Sequence, residues 1–559
     1  MPFRMINQIK SAAGQFTYSS FLYNWSLRGS VPERLVVKPV DPWPGDAERG
    51  RWLCDPPSPP STSSGGFGAA SGAFSIDGEQ LEHHHCWEPF EVSEVWLEHM
   101  HGFEWLRDLR SLGGEAARRQ GRELMASWMD HYRSWHKMAW RPDITARRVA
   151  MWISHYDCFA DSASDEFQDD FFDSLMRQSR HLARSLPGDL HGVELLHGAK
   201  GLLYAGLAFE GRESWIEQAL SIFEREIAKQ ILGDGGHVSR SPSQLLEALQ
   251  IFLDVRTALM AGGYPAFDKI QHAIDKMGPA VRFFRYADKG FALFNGTQEG
   301  NVAYIDSVLA QANARGKALQ SLPCTGYERI AQGRSLILMD TGKAPDWPYD
   351  EKAHAAPLAF EFSYGKERLF VNCGVHPTSD EWHEALRATS AHNTATIDYR
   401  NSCEIREGGH LGRKVRNIIT VREDSKKSSL LEASHDGYVP LNGITHGRRL
   451  FLTEKGCDLR GEDSFSCFTG IAKPQEIAMR FHIHPRVQVS LIRDGEEALL
   501  RMPGGVGWRF RHGSGALALE DSIYLGEGSR PRKTKQLVIY GQMEQDCARV
   551  KWALQREGT

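Results

Sequence analysis

Along this chain the spacing of apolar positions changes once, and the change divides it. From about Val95 apolar residues recur every three or four positions. In "VWLEHMHGFEWLRDLRSLGG", Trp96, Met100, Phe103 and Leu106 or Leu109 fall on one helical face, and Gly113 and Gly114 end the run. Segments starting near Glu115, Ile144, Asp165, Leu190, Arg212, Pro242 and Ala266 repeat the pattern, separated by breaks such as "LPGD", "FEGRE" and "GDGGHVSRSP". Paired amphipathic helices of similar length predict hairpins packed in an arc or ring. After about Ser321 the period falls to two. "RSLILMD", "PLAFEFSYG", "RLFVNCG", "VRNIITVRED", "RRLFLTEKG", "MRFHIHPRVQVSLI" and "KQLVIYG" read as strands bounded by Gly, Asp, Pro or Asn. Leu358, Phe360 and Phe362 share one face, while Phe481 and Ile483 oppose Arg480, His482 and His484. The second half therefore predicts an antiparallel sandwich.

With 559 residues, the chain exceeds what one hydrophobic core supports, which is about 250 to 300 residues. The pattern predicts an extended N-terminal arm and loop over 1–90, a helical domain over 91–320 and a sheet domain over 321–559. "CDPPSPPSTSSGGFGAASG", Cys54 to Gly72, reads as a loop-forming linker. A net charge of −5 with both signs abundant gives no footprint for nucleic acid. No apolar run reaches transmembrane length and no secretory signal is visible, so the expected compartment is the cytoplasm. Nine scattered cysteines without a CxxC pair predict free thiols.

An all-helical half followed by a sandwich containing "RATSAHNTATID" resembles the heparinase II/III family of polysaccharide lyases. "HGVELLHGAKGLLYAGLAF", "QILGDGGHVSRSP", "AHAAPLAFEF" and "VNCG" carry the same likeness. It implies an N-terminal α/α toroid, an incomplete helical barrel, followed by a C-terminal antiparallel β-sandwich. It also implies an acidic, uronate-containing polysaccharide or oligosaccharide as partner, cleaved by β-elimination, and by family analogy an envelope or periplasmic location. Such a lyase neutralises the uronate carboxylate, removes the C5 proton and protonates the leaving oxygen, tasks given in the family to Asn or His, Tyr and His.

At the matched positions this sequence departs from the family. Val193 and Glu194 stand where an Asn-His pair is usual, and an ionised glutamate repels the carboxylate it should neutralise. Gln244 and Leu245 replace the catalytic tyrosine and its neighbour. "KAHAAPLAF" puts Lys352 where a catalytic histidine is usual and keeps His354. The candidate catalytic set is then Glu194, His237, Arg240 and Lys352, with Asp234, Gln244 and Arg387 as candidate substrate ligands. Each has a structural alternative: Ser241 as N-cap with Pro242 and Gln244 makes a helix start, Asp234 and His237 order the "DGG" turn, and Lys352 is a surface lysine. The resemblance places a metal, zinc in this reading, on His354, Asn372 and His392. An amide in place of the family's aspartate weakens such a site, and the alternative is a hydrogen-bonded trio.

Consecutive His83 to His85 alternate faces and cannot converge on one ion. His435, His446 and the histidines of "RFHIHP" are expected in sheet-surface ladders. Ten of the 15 tryptophans precede residue 160; most are expected to pack helices, with the remainder free to stack on sugar rings. Three functions follow. One is a lyase with rebuilt groups, a second an inactive carbohydrate-binding or envelope-biogenesis protein, and a third a glycoside hydrolase using Glu194 and Asp234.

Overall fold

A computed structural model describes residues 17–558, apart from 56–72, 77–78, 83–86, 88–91 and the single positions 266, 454, 469 and 472. The linker after Asp55 and the His83–His85 triplet lie outside the described residues. The chain divides into two compact units: residues 1–229 with 247–274, and residues 230–246 with 275–559. This division differs from the one expected at residue 320. Helix Pro242–Ala261 crosses it, and the helices Asp268–Phe283 and Val302–Gln311 fall largely or wholly in the second unit.

In the helical unit, helix Glu94–Gly102 starts on Ser93, whose Oγ accepts the Trp96 N–H at 3.2 Å. The single helix expected up to Gly113 is broken at Phe103, which caps the first segment in the left-handed region (φ 62°). The break places the Phe103 ring 4.7 Å from Trp105 and edge-on to Trp152; burying that aromatic cluster offsets the local strain. Helices Gly192–Ala208 and Pro142–Ser154 approach so closely that a Cβ on Gly201 would lie 2.5 Å from the Ala146 carbonyl oxygen. Trp43, Trp96, Trp105, Trp128 and Trp152 are fully buried, so they pack helices and offer no face to a sugar; Trp140 is 1% exposed and only its edge lines a pocket. The segment expected to be an arm is partly integral to this unit. Trp43 Nε1 donates to Asp254 Oδ1 (2.7 Å), and Arg107 Nε donates to Asp41 Oδ2 (2.6 Å).

The second unit holds three antiparallel sheets. In chain order, after the hairpin β1–β2 (Ala73–Ile76, Glu79–Glu82), its strands are β3 Ser321–Leu322, β4 Tyr327–Gln332, β5 Ser335–Asp340, β6 Phe360–Tyr364, β7 Glu367–Phe370 and β8 Ala395–Ile397. There follow β9 Ile418–Asp424, β10 Ser428–Tyr438, β11 Ile444–Thr453, β12 Asp458–Cys467, β13 Gln475–His482 and β14 Gln488–Ile492. The last are β15 Glu497–Arg501, β16 Gly507–His512, β17 Ala516–Tyr524, β18 Arg532–Met543 and β19 Cys547–Arg556. The sheet orders are β14-β15-β16-β19-β12-β11-β10-β9, β17-β18-β13-β8 and β3-β4-β5-β6-β7. Their inward faces share one core, in which the Trp552 indole stacks on Phe360 (5.6 Å) and meets Phe481 at 4.9 Å. The alternation of "RRLFLTEKG" is the alternation of burial in β11; its neighbour β12 alternates in the same way but was not among the runs read from the sequence.

The histidines expected on sheet surfaces are instead buried. His446 accompanies Arg448 on Asp463, at 2.8 and 2.9 Å, with His435 Nε2 3.1 Å from His446 Nδ1. Burial alone would raise the Asp463 carboxyl, but Arg448 and His446 outweigh it and hold Asp463 well below the carboxylate range. Strand alternation gives the direction of a side chain; it does not reveal a second layer packed over that face.

Candidate functional site

The motif "RATSAHNTATID" is a bracket within the sheet unit. Asn393 Nδ2 donates to Phe360 O (2.8 Å), its Oδ1 accepts the His482 N–H (2.5 Å), and its carbonyl accepts from Arg448 (2.5 Å). Arg387 is 1% exposed and donates to the carbonyls of Ala353 (2.7 Å), Asp350 (3.0 Å) and Gly409, so its fork is spent on loops and not on a substrate.

His354 and His392 come together. Gly296 N–H donates to His354 Nε2 (2.9 Å), so the His354 proton sits on Nδ1 and is donated to His392 Nε2 (2.7 Å). His392 in turn donates from Nδ1 to the Ala388 carbonyl (2.8 Å). Both rings are neutral: burial, His392 and Arg387 hold His354 well below its ordinary value, and burial lowers His392 to about 4. Asn372 is not part of the chain of bonds. Its side chain donates to Leu293 O (3.3 Å) and accepts the Asn393 N–H (3.2 Å). Zinc does not fit this donor set, because both Nε2 lone pairs already accept N–H bonds and the third group brings no charge. Among the described residues no cluster of three or more His, Cys, Asp or Glu is arranged to hold a metal.

The "DGGHVSRSP" segment is likewise occupied with its own architecture. Asp234 Oδ2 accepts Thr325 N–H (2.8 Å), while Oδ1 accepts the Thr325 hydroxyl (2.7 Å) and Gly236 N–H (3.1 Å). His237, 1% exposed, bonds Ser239 Oγ through Nδ1 (2.7 Å) and Gln230 Oε1 through Nε2 (3.0 Å). Arg240 donates to the Thr325 and Gly326 carbonyls and to Asp340 Oδ1 (2.5 Å), with its guanidinium 4.7 Å from the centre of the Tyr327 ring. The helix starts at Pro242 as expected, but the acceptor for the Ser243 N–H is Thr297 Oγ1 (3.1 Å), a group no local capping pattern includes. Gln244, half-buried, has no hydrogen-bond partner among the described residues, and neither does the Lys352 ammonium.

The segment "FNGT", Phe294 to Thr297, organises this neighbourhood and was not singled out in the sequence. Asn295 (φ 45°) donates to Tyr327 Oη (2.7 Å) and accepts the His354 N–H (2.9 Å), and Gly296 (φ 69°) lies against Lys352. The Asn-Gly dipeptide, a turn signal, was the available clue.

In the helical unit Glu194 is half-buried in the first turn of its helix, near Arg147. The sequence reading missed His197, one turn later on the same face. His197 Nε2 lies 2.8 Å from Glu247 Oε1, which also takes Arg147 Nη2 at 3.1 Å; Arg147 Nη1 reaches Glu104 at 3.5 Å. Burial and the Arg147 charge lower His197 to about 4, so it is a neutral imidazole at pH near 7. Burial pushes the Glu104 carboxyl up, but Arg147 and Arg107 prevail and hold it at about 2. Three glutamates around one arginine favour a cation or a neutral group over a uronate.

Two sequence profiles cover most of the chain: Heparinase II/III N-terminus matches residues 103–313, and Heparinase II/III-like, C-terminal matches residues 314–553. The chain belongs to the heparinase II/III family. Among solved structures, heparinase III aligns with a TM-score of 0.69 at 15% identity, over 86% of this chain and 80% of that one. A mutant heparan sulfate lyase from Pedobacter heparinus aligns with a TM-score of 0.62 at 15% identity, over 87% and 81%. These likenesses show a heparinase III-like fold, a helical N-terminal region with a sheet-rich C-terminal region. By sequence, the chain is 31% identical over 541 residues to FtsZ-localized protein C of Caulobacter vibrioides, covering 94% of this chain and 90% of that protein. A heparin-sulfate lyase of Bacteroides stercoris is also 31% identical, but over 121 residues, 21% of this chain and 18% of that one.

Proposed function

We propose that this heparinase II/III-family protein has given up β-elimination and acts in the cytoplasm in association with FtsZ; the last of these rests on its Caulobacter relative, whose name describes that protein as FtsZ-localized. The observation that carries the reading is the fate of the polar groups on the family's motifs. Asp234, His237, Arg240, Arg387, His354 and His392 all spend their donors and acceptors on internal hydrogen bonds, so none is available for proton transfer to a substrate. Buried Val193 has no polar atom, and Gln244 cannot serve as a base. Sequence likeness to FtsZ-localized protein C over nearly the whole chain supports the same conclusion. With both Asp234 oxygens committed to Thr325 and Gly236, the two-carboxylate hydrolase reading loses one of its groups.

The test is co-sedimentation of the purified protein with GTP-assembled FtsZ. The protein is expected in the polymer pellet; recovery in the supernatant at all FtsZ concentrations would contradict the proposal. A second reading, elimination on an acidic glycan, is favoured by one feature alone, a neutral His197 beside Arg147.

A further inference from the structure

A pocket of about 220 Å³ lies in the helical unit between helices Gly114–His131 and Asp165–Ser185. It is separate from the Arg147 cluster and from every residue matched to the family's motifs. Its deepest polar group is Arg177, 5% exposed. Among the described residues this guanidinium makes one loose ion pair, Nη1 to Asp173 at 3.5 Å, and its Nε meets no acceptor. Five N–H donors on a buried fork with so little to bind are exceptional, because buried charged groups ordinarily have their hydrogen bonds satisfied. A carboxylate matches the fork in a two-point contact.

The walls exclude a simple anion. Asp130 and Glu166 line the same pocket and form no ion pair among the described residues, while Asp170 is held at 2.9 Å by the exposed Arg133 at the rim. A ligand carboxylate on Arg177 would therefore face uncompensated negative charge unless it carried its own cation. The remaining wall combines Ala126, Met129, Phe167 and the edge of Trp140, whose indole N–H is donated to Tyr132 O (3.1 Å), with two serines already engaged within their helix: Ser174 Oγ accepts from Gln178 and Ser164 Oγ accepts the Phe167 N–H. The positions 166, 170, 173, 174 and 177 fall on one face of helix Asp165–Ser185, so one rigid element carries both kinds of charge into the pocket.

We propose that this pocket binds a small zwitterion of the α-amino-acid class, with its carboxylate on Arg177, its ammonium on Asp130 and Glu166, and its side chain against Phe167, Met129 and Ala126. Burial, and the cations Arg28 and Arg133, depress the Arg177 pKa against the pull of Asp173, the state an incoming carboxylate relieves. The volume suits a single amino acid and no polymer.

The full-length protein is titrated calorimetrically with L-leucine, L-methionine, L-glutamate and L-lysine, and with acetate and methylamine as the two half-ligands. Saturable binding of at least one amino acid, with neither half-ligand binding, is the expected result. R177M should weaken that binding about tenfold to a hundredfold, the usual loss for a charge-assisted contact, while leaving the thermal midpoint of the unliganded protein unchanged or higher. D130N, at a carboxylate with no hydrogen bond or ion pair among the described residues, should weaken it without altering the fold. Absence of heat with all four amino acids at millimolar concentration would overturn the proposal, as would acetate binding as tightly as they do; undiminished binding by R177M would overturn the assignment to this pocket.

Discussion

His354 Nδ1 lies 2.7 Å from His392 Nε2, and the direction of that bond is fixed by the Gly296 N–H that His354 accepts on its other nitrogen. Two histidines that a motif comparison assigns to a metal are here links in a neutral relay from Gly296 to the Ala388 carbonyl. Removing one link strands a buried donor or acceptor at the other. H392A is expected to lower stability by about 1 to 3 kcal/mol, read from urea unfolding, and a chelator should leave the thermal midpoint of the wild type unchanged. A chelator-induced fall in that midpoint would show that metal contributes to the fold.

Arg240 and Asp340 form a buried pair that also grips the Thr325 and Gly326 carbonyls. D340A leaves the guanidinium uncompensated and should cost about 3 to 5 kcal/mol. The measurement is the urea midpoint at constant m-value, and a loss below about 1 kcal/mol would place Arg240 among solvated arginines.

Stability should fall on the acid side of neutrality. The histidines His101, His155, His181, His197, His392, His482 and His484 are lowered from 6.5 to about 3 or 4, in every case chiefly by burial. A depressed folded-state value means that the unfolded chain takes up the proton first. The stability these groups contribute is complete above 6.5 and is lost as pH falls towards 4 and 3. Each adds a slope of about 1.4 kcal/mol per pH unit at most. Carboxyls raised by burial, such as Glu361 at about 7, act in the opposite sense but are fewer. The expected outcome is a lower urea midpoint at about pH 5 than at about pH 7.5.

Gly201 permits the close crossing of helices Gly192–Ala208 and Pro142–Ser154. G201A would set a Cβ 2.5 to 2.7 Å from Ala146 atoms and should destabilise by about 1 to 3 kcal/mol, although alanine is the better helix former. A stabilised variant would mean that the helices separate without cost.

The fold was legible because the change of period at about Ser321 follows directly from the two geometries, and "RATSAHN" identifies a bracket built around the Asn393 amide. The candidate site was less legible, because its residue types are the same whether they serve chemistry or architecture. Asp234 and His237 differ from a catalytic pair only in already having partners, supplied by Thr325 ninety-one positions away and by Gln230. His197 escaped notice for the converse reason: its significance comes from Glu247 and Arg147, carried on other helices. His446 was likewise expected on a sheet surface, because the sequence does not reveal Asp463 on the neighbouring strand, against which it is buried.

The most direct test of the central claim, that the family's proton-transfer groups are replaced and the remaining polar groups of its motifs serve architecture, is near-ultraviolet absorbance while the purified protein is incubated with heparan sulfate, alginate, glucuronan and hyaluronan. No unsaturated uronyl product should form with any of them. A rise in absorbance that scales with protein concentration and disappears in H197A would contradict the account and make His197 the base of an active lyase.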